Sequence, residues 1–174
     1  IVAYLRTLKP ISNKIPERKL NDFASIERNQ FQFTAIEDHK TPASDNKLQT
    51  GEYLAAIGAC RACHTPRLEN ERFDTTGYFS GGDHMGKKFG FTVASSNITP
   101  HNATGIGNWS ESSFLEKFHY YRDTTAFKKN PGSFNTLMPW EMLAQIKDDD
   151  LKSIYAYLRS LKPIEHRVEK WQTE

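Results

Sequence analysis

The run Cys60-Arg61-Ala62-Cys63-His64 places two thiols and an imidazole within five residues, and these are the only two cysteines of the chain. C-x-x-C-H is the spacing of covalent c-type haem attachment. The two sulfurs add across the haem vinyl groups, and the following residue presents a ring nitrogen to the iron. The chemistry implied is one-electron transfer. Two other chemistries share part of this pattern. A redox dithiol calls for a βαβ context, which the sequence does not show. A zinc site calls for further Cys or His at finger spacing, whereas His39, His84, His101, His119 and His166 are scattered.

With His64 on one side of the iron, an electron carrier needs a second ligand on the other. Methionine fills that place in cytochromes c and raises the potential. The candidates are Met85, Met138 and Met142. Met138 is the best placed. It follows the irregular Asn130-Pro131-Gly132-Ser133 and precedes Pro139, which favours extended backbone at the ligand. Met142 reads as a core residue one turn into a short helix, and Met85, between His84 and Gly86, is the weaker rival. If no methionine reaches the iron, the alternative is a haem enzyme or gas sensor, with an open site or with His84, His101 or His119 on the distal side.

These residues need helices to position them. Asp45 is read as the cap of a helix running to about Ala59, with Leu48, Gly51, Leu54, Ala55 and Gly58 on one side. Ser110 is a good N-cap, and Trp109 with Phe114 has the spacing of a hydrophobic staple. Phe114, Leu115, Phe118 and Tyr121 give that helix its apolar face. Pro139 suits the start of a short helix with Met142, Leu143 and Ile146 inward. Asp148-Asp149-Asp150 suits a last helix N-terminus, with Leu151, Ile154, Tyr155, Leu158 and Leu161 apolar and Pro163 as the stop. The chain between Cys63 and Ser110 reads as loops without a period-2 strand. The expected class is all-α with long loops.

The two ends of the sequence repeat each other. Ile1 to Ile11 (IVAYLRTLKPI) aligns with Ile154 to Ile164 (IYAYLRSLKPI), and nine of eleven pairs are identical. Internal repeats change a fold assignment and are settled first. The later copy is the final helix of the haem-bearing unit. The earlier copy then reads as the final helix of a preceding unit, which makes 1–16 a remnant of an upstream domain. Without that domain, the stripe Ile1, Tyr4, Leu5 and Leu8 should pack against a neighbour. Residues 17–46 read as a strap, because Phe23, Ile26, Phe31, Phe33 and Ile36 are too apolar for a free linker. The haem domain is expected over 47–166, followed by a charged tail over 167–174.

Composition narrows the class further. The 174 residues carry 23 basic and 21 acidic side chains, a net charge of +2. That balance leaves no footprint for nucleic acid. No apolar run approaches the roughly 20 residues of a membrane span, so no membrane insertion is expected of this segment. The sequence begins at Ile1 with no leader pattern, so either a signal has been removed or the sequence is a piece of something longer. Haem attachment takes place outside the cytoplasm in bacteria, which points to the periplasm or the extracytoplasmic face of the inner membrane.

Several segments together resemble a known family. They are Gly51-Glu52-Tyr53-Leu54, then Cys60 to Arg67 (CRACHTPR), Asn97-Ile98-Thr99-Pro100, Thr104 to Ser110 (TGIGNWS), Met138-Pro139-Trp140, and Asp149 to Leu158. Over about Leu48 to Ile164 the chain is similar to the multi-haem cytochrome c subunits of membrane-bound alcohol and gluconate dehydrogenases and to related di-haem bacterial cytochromes c. The resemblance implies one covalent haem c with His64 and Met138 on its iron. It implies a crossing of the first and last helices near Gly51 and Tyr157. It also suggests Arg67, Asn97 and Trp109 as donors to haem propionates, since each carries N–H groups. The plainer roles are a turn for Asn97, a staple for Trp109 and a solvated surface for Arg67. The implied partners are redox proteins: a dehydrogenase, an oxidase or another cytochrome domain. The charged C-terminal residues differ from the membrane anchor usual in such subunits.

Overall fold

The computed structural model describes residues 2–14, 16–17, 45–69, 72–85, 92–122 and 137–172. The apolar residues expected in the strap and the Asn130–Ser133 stretch lie outside the described residues. The chain divides into two compact units, 1–40 and 41–174.

In the first unit, α1 covers Val2–Leu5. Thr7 closes it by donating from both its amide and its hydroxyl to the Tyr4 carbonyl (2.9 and 2.7 Å). The chain is non-helical from Lys9 to Lys14, and every described side chain from Val2 to Lys14 is exposed.

The second unit is built on α2 (Lys47–Ile57), α3 (Cys60–His64), α4 (Glu111–His119), α5 (Trp140–Leu143) and α6 (Asp148–Ser160). Their starts follow local chemistry. The Asn46 side chain caps α2 by accepting from the Gln49 amide at 3.1 Å. The expected cap, Asp45, is one residue early, but the capping chemistry is the same. Ser110 caps α4 by accepting from the Ser113 amide at 3.1 Å. Three aspartates occupy the first turn of α6, where the helix dipole favours negative charge.

The sides these helices bury meet in one core of Phe79, Ile106, Phe114, Leu115, Phe118, Trp140, Leu151, Ile154 and Leu158. Phe114 and Phe118 lie 5.0 Å apart at their ring centres, Phe118 meets Trp140 edge-on at 5.5 Å, and Tyr121 stacks on Trp140 at 4.3 Å. α2 crosses α6 at Gly51, where a β-carbon would run into the Ser153 carbonyl and the Tyr157 β-carbon. Only glycine permits that approach. On the far side, Arg122 donates to the Ala144 and Ile146 carbonyls (2.9 and 3.0 Å) and pairs with Asp148 at 2.6 Å. It thereby ties the ends of α4 and α5 to the start of α6.

Three expectations need correction. The all-α reading omits a small antiparallel sheet, β1 (His84–Met85), β2 (Thr92–Ala94) and β3 (Trp171–Gln172), in the order β1-β2-β3. Strands of two and three residues are too short to show an alternating pattern. Through β3, residues of the charged tail pair with β2, Val93 facing Trp171 in register. Met142 is 70% exposed instead of inward: in a four-residue helix, Trp140 takes the core-facing place. Leu48 is also exposed, in the first turn of α2 beyond the buried Gly51 and Ala55.

Candidate haem site

Ala59 adopts a left-handed conformation (φ 55°, ψ 26°), which ends the approach from α2 and starts α3 in a new direction. Within α3 the spacings i, i+3 and i+4 bring Cys60, Cys63 and His64 onto one face. Cys60 is half-buried and packs against the core, and Cys63 is exposed.

The imidazole of His64 is fixed by a backbone contact. Its Nδ1 lies 2.7 Å from the Ser96 carbonyl oxygen. A carbonyl only accepts, so Nδ1 carries the proton and Nε2 keeps its lone pair. That tautomer suits a metal ligand. Burial pushes the His64 pKa below the usual histidine value, against the pull of the Ser96 bond. Burial thus favours the neutral ring. The main chain of His64 is held as well: its carbonyl accepts from the Gly81 amide at 2.8 Å. Gly81 has φ 74°, and a β-carbon there would collide with the backbone of Ser95, Ser96 and Asn97.

Both thiols have raised pKa values, through desolvation first; the charge of Cys63 adds to the rise at Cys60, and that of Asp83 adds to the rise at Cys63. A redox dithiol relies on a depressed thiol pKa, so the electrostatics oppose that reading. Two unionised thiols on one helix face, with Cys63 exposed and Cys60 half-buried, and a deprotonated Nε2 are the donor set that covalent haem attachment uses. Among the described residues, no three His, Cys, Asp or Glu side chains form a group able to hold a bare metal ion.

Met138 is partly buried against the same core that Cys60 borders, and its carbonyl accepts from the Trp140 amide at 2.8 Å. Met85 sits in β1. The other candidate residues have structural partners. Arg67 pairs with Asp83 (3.3 Å) and lies over the Phe73 ring at 4.7 Å. Trp109 is 39% exposed and forms a wall of a shallow hollow with Ser113, Glu116 and Tyr120; its carbonyl accepts from the Tyr155 hydroxyl at 2.6 Å. Asn97 is buried. Its amide donates to the Ile164 carbonyl (2.9 Å) and to Thr104 Oγ1 (3.1 Å), while its oxygen accepts from the Thr99 amide and hydroxyl (2.9 and 2.7 Å). Of the possible distal histidines, His101 accepts from the Thr104 amide at 3.2 Å, and His119 bonds Asp148 at 2.9 Å.

Sequence reasoning misses Ser96 and Gly81, because both act through main-chain atoms. The only available signal is adjacency: Ser96 immediately precedes the Asn97-Ile98-Thr99-Pro100 motif.

Comparison with known proteins bears out the resemblance carried by these motifs. The chain is 34% identical over 125 residues (72% of its length) to the gluconate 2-dehydrogenase cytochrome c subunit of Pantoea cypripedii. It is 29% identical over 135 residues (76%) to the fructose dehydrogenase cytochrome subunit of Gluconobacter japonicus. Over 127 residues (72%) it is 29% identical to the cytochrome c subunit of the quinone alcohol dehydrogenase of Gluconobacter oxydans (strain 621H). These matches cover 25%, 25% and 24% of the three relatives, so the chain spans about a quarter of their length. No family model matches the chain. The class that the site and these similarities define is the cytochrome c subunits of dehydrogenases, and this chain resembles one stretch of such a subunit.

Proposed function

We propose that this chain is an electron-transfer domain of the c type, carrying one covalent haem c and forming part of a di- or multi-haem protein linked to a dehydrogenase. The observation that carries the reading is the His64 tautomer. Its Nδ1–H is engaged by Ser96, and Nε2 is left to ligate from the face that also holds Cys60 and Cys63. When bound, the haem supplies a reversible one-electron couple. The chain would hold it through thioethers at Cys60 and Cys63 and through His64 Nε2, with Met138 as a second ligand to the iron. Met138 is preferred because it lies on the core that Cys60 borders, whereas Met142 is exposed. Arg67 is retained as a propionate donor on the chemistry of its guanidinium alone. Both Asn97 amide hydrogens have protein acceptors, which supports a structural role for it.

The repeated Ile1–Ile11 segment supports a second unit of the same kind upstream. The relatives support a dehydrogenase as electron donor, and the haem-attachment motif supports the periplasmic side of the membrane as the location. Among the described residues no helix is long and apolar enough to cross a membrane.

The test is spectroscopic. The ferric protein should show a methionine–iron charge-transfer band that Met138→Ala abolishes, and the untreated ferrous protein should not bind carbon monoxide. Ready carbon monoxide binding by the unmodified protein would overturn the electron-carrier reading in favour of an open site.

A further inference from the structure

The segment leaving α6 reaches back to His64 from two sides. On the ring side, the acceptor of His64 Nδ1 is the Ser96 carbonyl, and the next residue is Asn97. Asn97 is 5% exposed, and its amide is anchored on the Ile164 carbonyl at 2.9 Å and on Thr104 Oγ1 at 3.1 Å. Thr104 Oγ1 also accepts from the His166 amide at 3.1 Å, and Thr99 Oγ1 accepts from the Ile164 amide at 3.2 Å. On the main-chain side, the His64 carbonyl accepts from Gly81. The neighbouring Ser80 carbonyl accepts from His166 Nδ1 at 3.0 Å. Gly82, at φ 89°, leaves room for that ring: a β-carbon there would lie 2.6 Å from His166 Cε1.

We propose that Ile164–His166 is a positioning device for the His64 imidazole, acting through Asn97 on the Ser96 carbonyl and through His166 on the Ser80–Gly81 turn. The inference rests on the reading that His64 Nε2 binds the haem iron. Buried polar groups in a fully satisfied network rigidify the structure around them. Here the network fixes both the acceptor of the ring N–H and the peptide from which the ring projects. A well-formed Nδ1–H bond makes the imidazole a stronger donor and so favours the oxidised metal. Loosening either hold weakens that bond and raises the potential. Asn97 and His166 are positioning residues, since neither touches the ligating nitrogen.

The experiment uses the haem-loaded chain and compares wild type with His166→Leu, His166→Asn and Asn97→Ala. Leucine removes the donor to Ser80, whereas the asparagine side-chain N–H occupies the place of Nδ1. The readouts are the midpoint potential and the ferric electron paramagnetic resonance g values, with circular dichroism as the measure of fold. His166→Leu and Asn97→Ala should shift the midpoint upward and alter the g values, and His166→Asn should restore both. A folded His166→Leu with wild-type midpoint and g values overturns the inference while leaving the haem reading intact. Absence of covalent haem from the wild type overturns both. If Asn97→Ala does not fold, the two His166 variants decide.

Discussion

Nearly the same eleven residues occur at the two ends of this molecule, and they take different structures. In the later copy, Ile154 and Leu158 are 5% and 2% exposed, and Tyr157, Leu161 and Ile164 are partly buried. In the earlier copy, Tyr4, Leu5, Leu8 and Ile11 are 66%, 55%, 49% and 81% exposed, and the helix lasts a single turn. Intrinsic propensity is almost identical in the two, so it does not make the difference. The later copy lies in a 13-residue helix with three acids in its first turn, a glycine-bearing partner helix and Arg159 bonded to the Ile106 and Gly107 carbonyls. The first turn of α1 holds no acid, and its apolar side chains are exposed. A short isolated helix is marginal in water, and an amphipathic face needs a partner.

The comparison can be broken most sharply at the equivalent leucines. Leu158→Ala should destabilise the protein by about 2–5 kcal/mol, whereas Leu5→Ala should stay within about 0.5 kcal/mol; denaturant unfolding of the two variants gives both values. Equal losses would refute the contrast. In a longer chain that includes the proposed upstream unit, Leu5→Ala should rise toward the Leu158 value. Next in size is the helix crossing. Gly51→Ala should destabilise by about 1–3 kcal/mol through overpacking against Ser153 and Tyr157, read as a lower thermal midpoint with the two-state transition preserved. Smaller still is Tyr155→Phe, at about 0.5–1.5 kcal/mol for the hydroxyl bond to the Trp109 carbonyl. The earlier copy has Val2 in that place, so it lacks this bond by sequence.

The smallest effect concerns acid. The side-chain bond from His119, followed by that from Arg122, holds the Asp148 carboxyl below the usual carboxylate range. A depressed folded-state pKa contributes stability above the unfolded value, and that contribution is lost as pH falls through the folded value. Stability should therefore fall at the acid end, and Asp148→Asn should flatten that fall. Thermal midpoints measured at descending pH check this: a wild-type curve parallel to that of Asp148→Asn would exclude the contribution.

Much of the fold was legible where local chemistry determines it. Ser110, Pro139 and Asp148–Asp150 mark their helices, and Leu151, Ile154 and Leu158 face the core as their spacing requires. The sheet was not legible because its strands are too short to carry a pattern, and β3 pairs with a strand about 80 residues away in the chain. Met142 misled because the helix it occupies is too short to present a full inward face. At the candidate site, the shared helix face of Cys60, Cys63 and His64 could be read from spacing alone. The Ser96 carbonyl could not, since any residue supplies one. Asn97 was visible as a polar residue in a motif, but its buried bonds to Thr99, Thr104 and Ile164 emerge only once the chain returns from α6.

The central claim is that Cys60 and Cys63 carry haem covalently beside a ligating His64. It is tested most directly by the intact mass of the protein, produced in cells with periplasmic haem attachment and measured after denaturation. The mass should equal that of the polypeptide plus one haem, with neither cysteine open to alkylation. The bare polypeptide mass, with both thiols alkylated, would contradict the account.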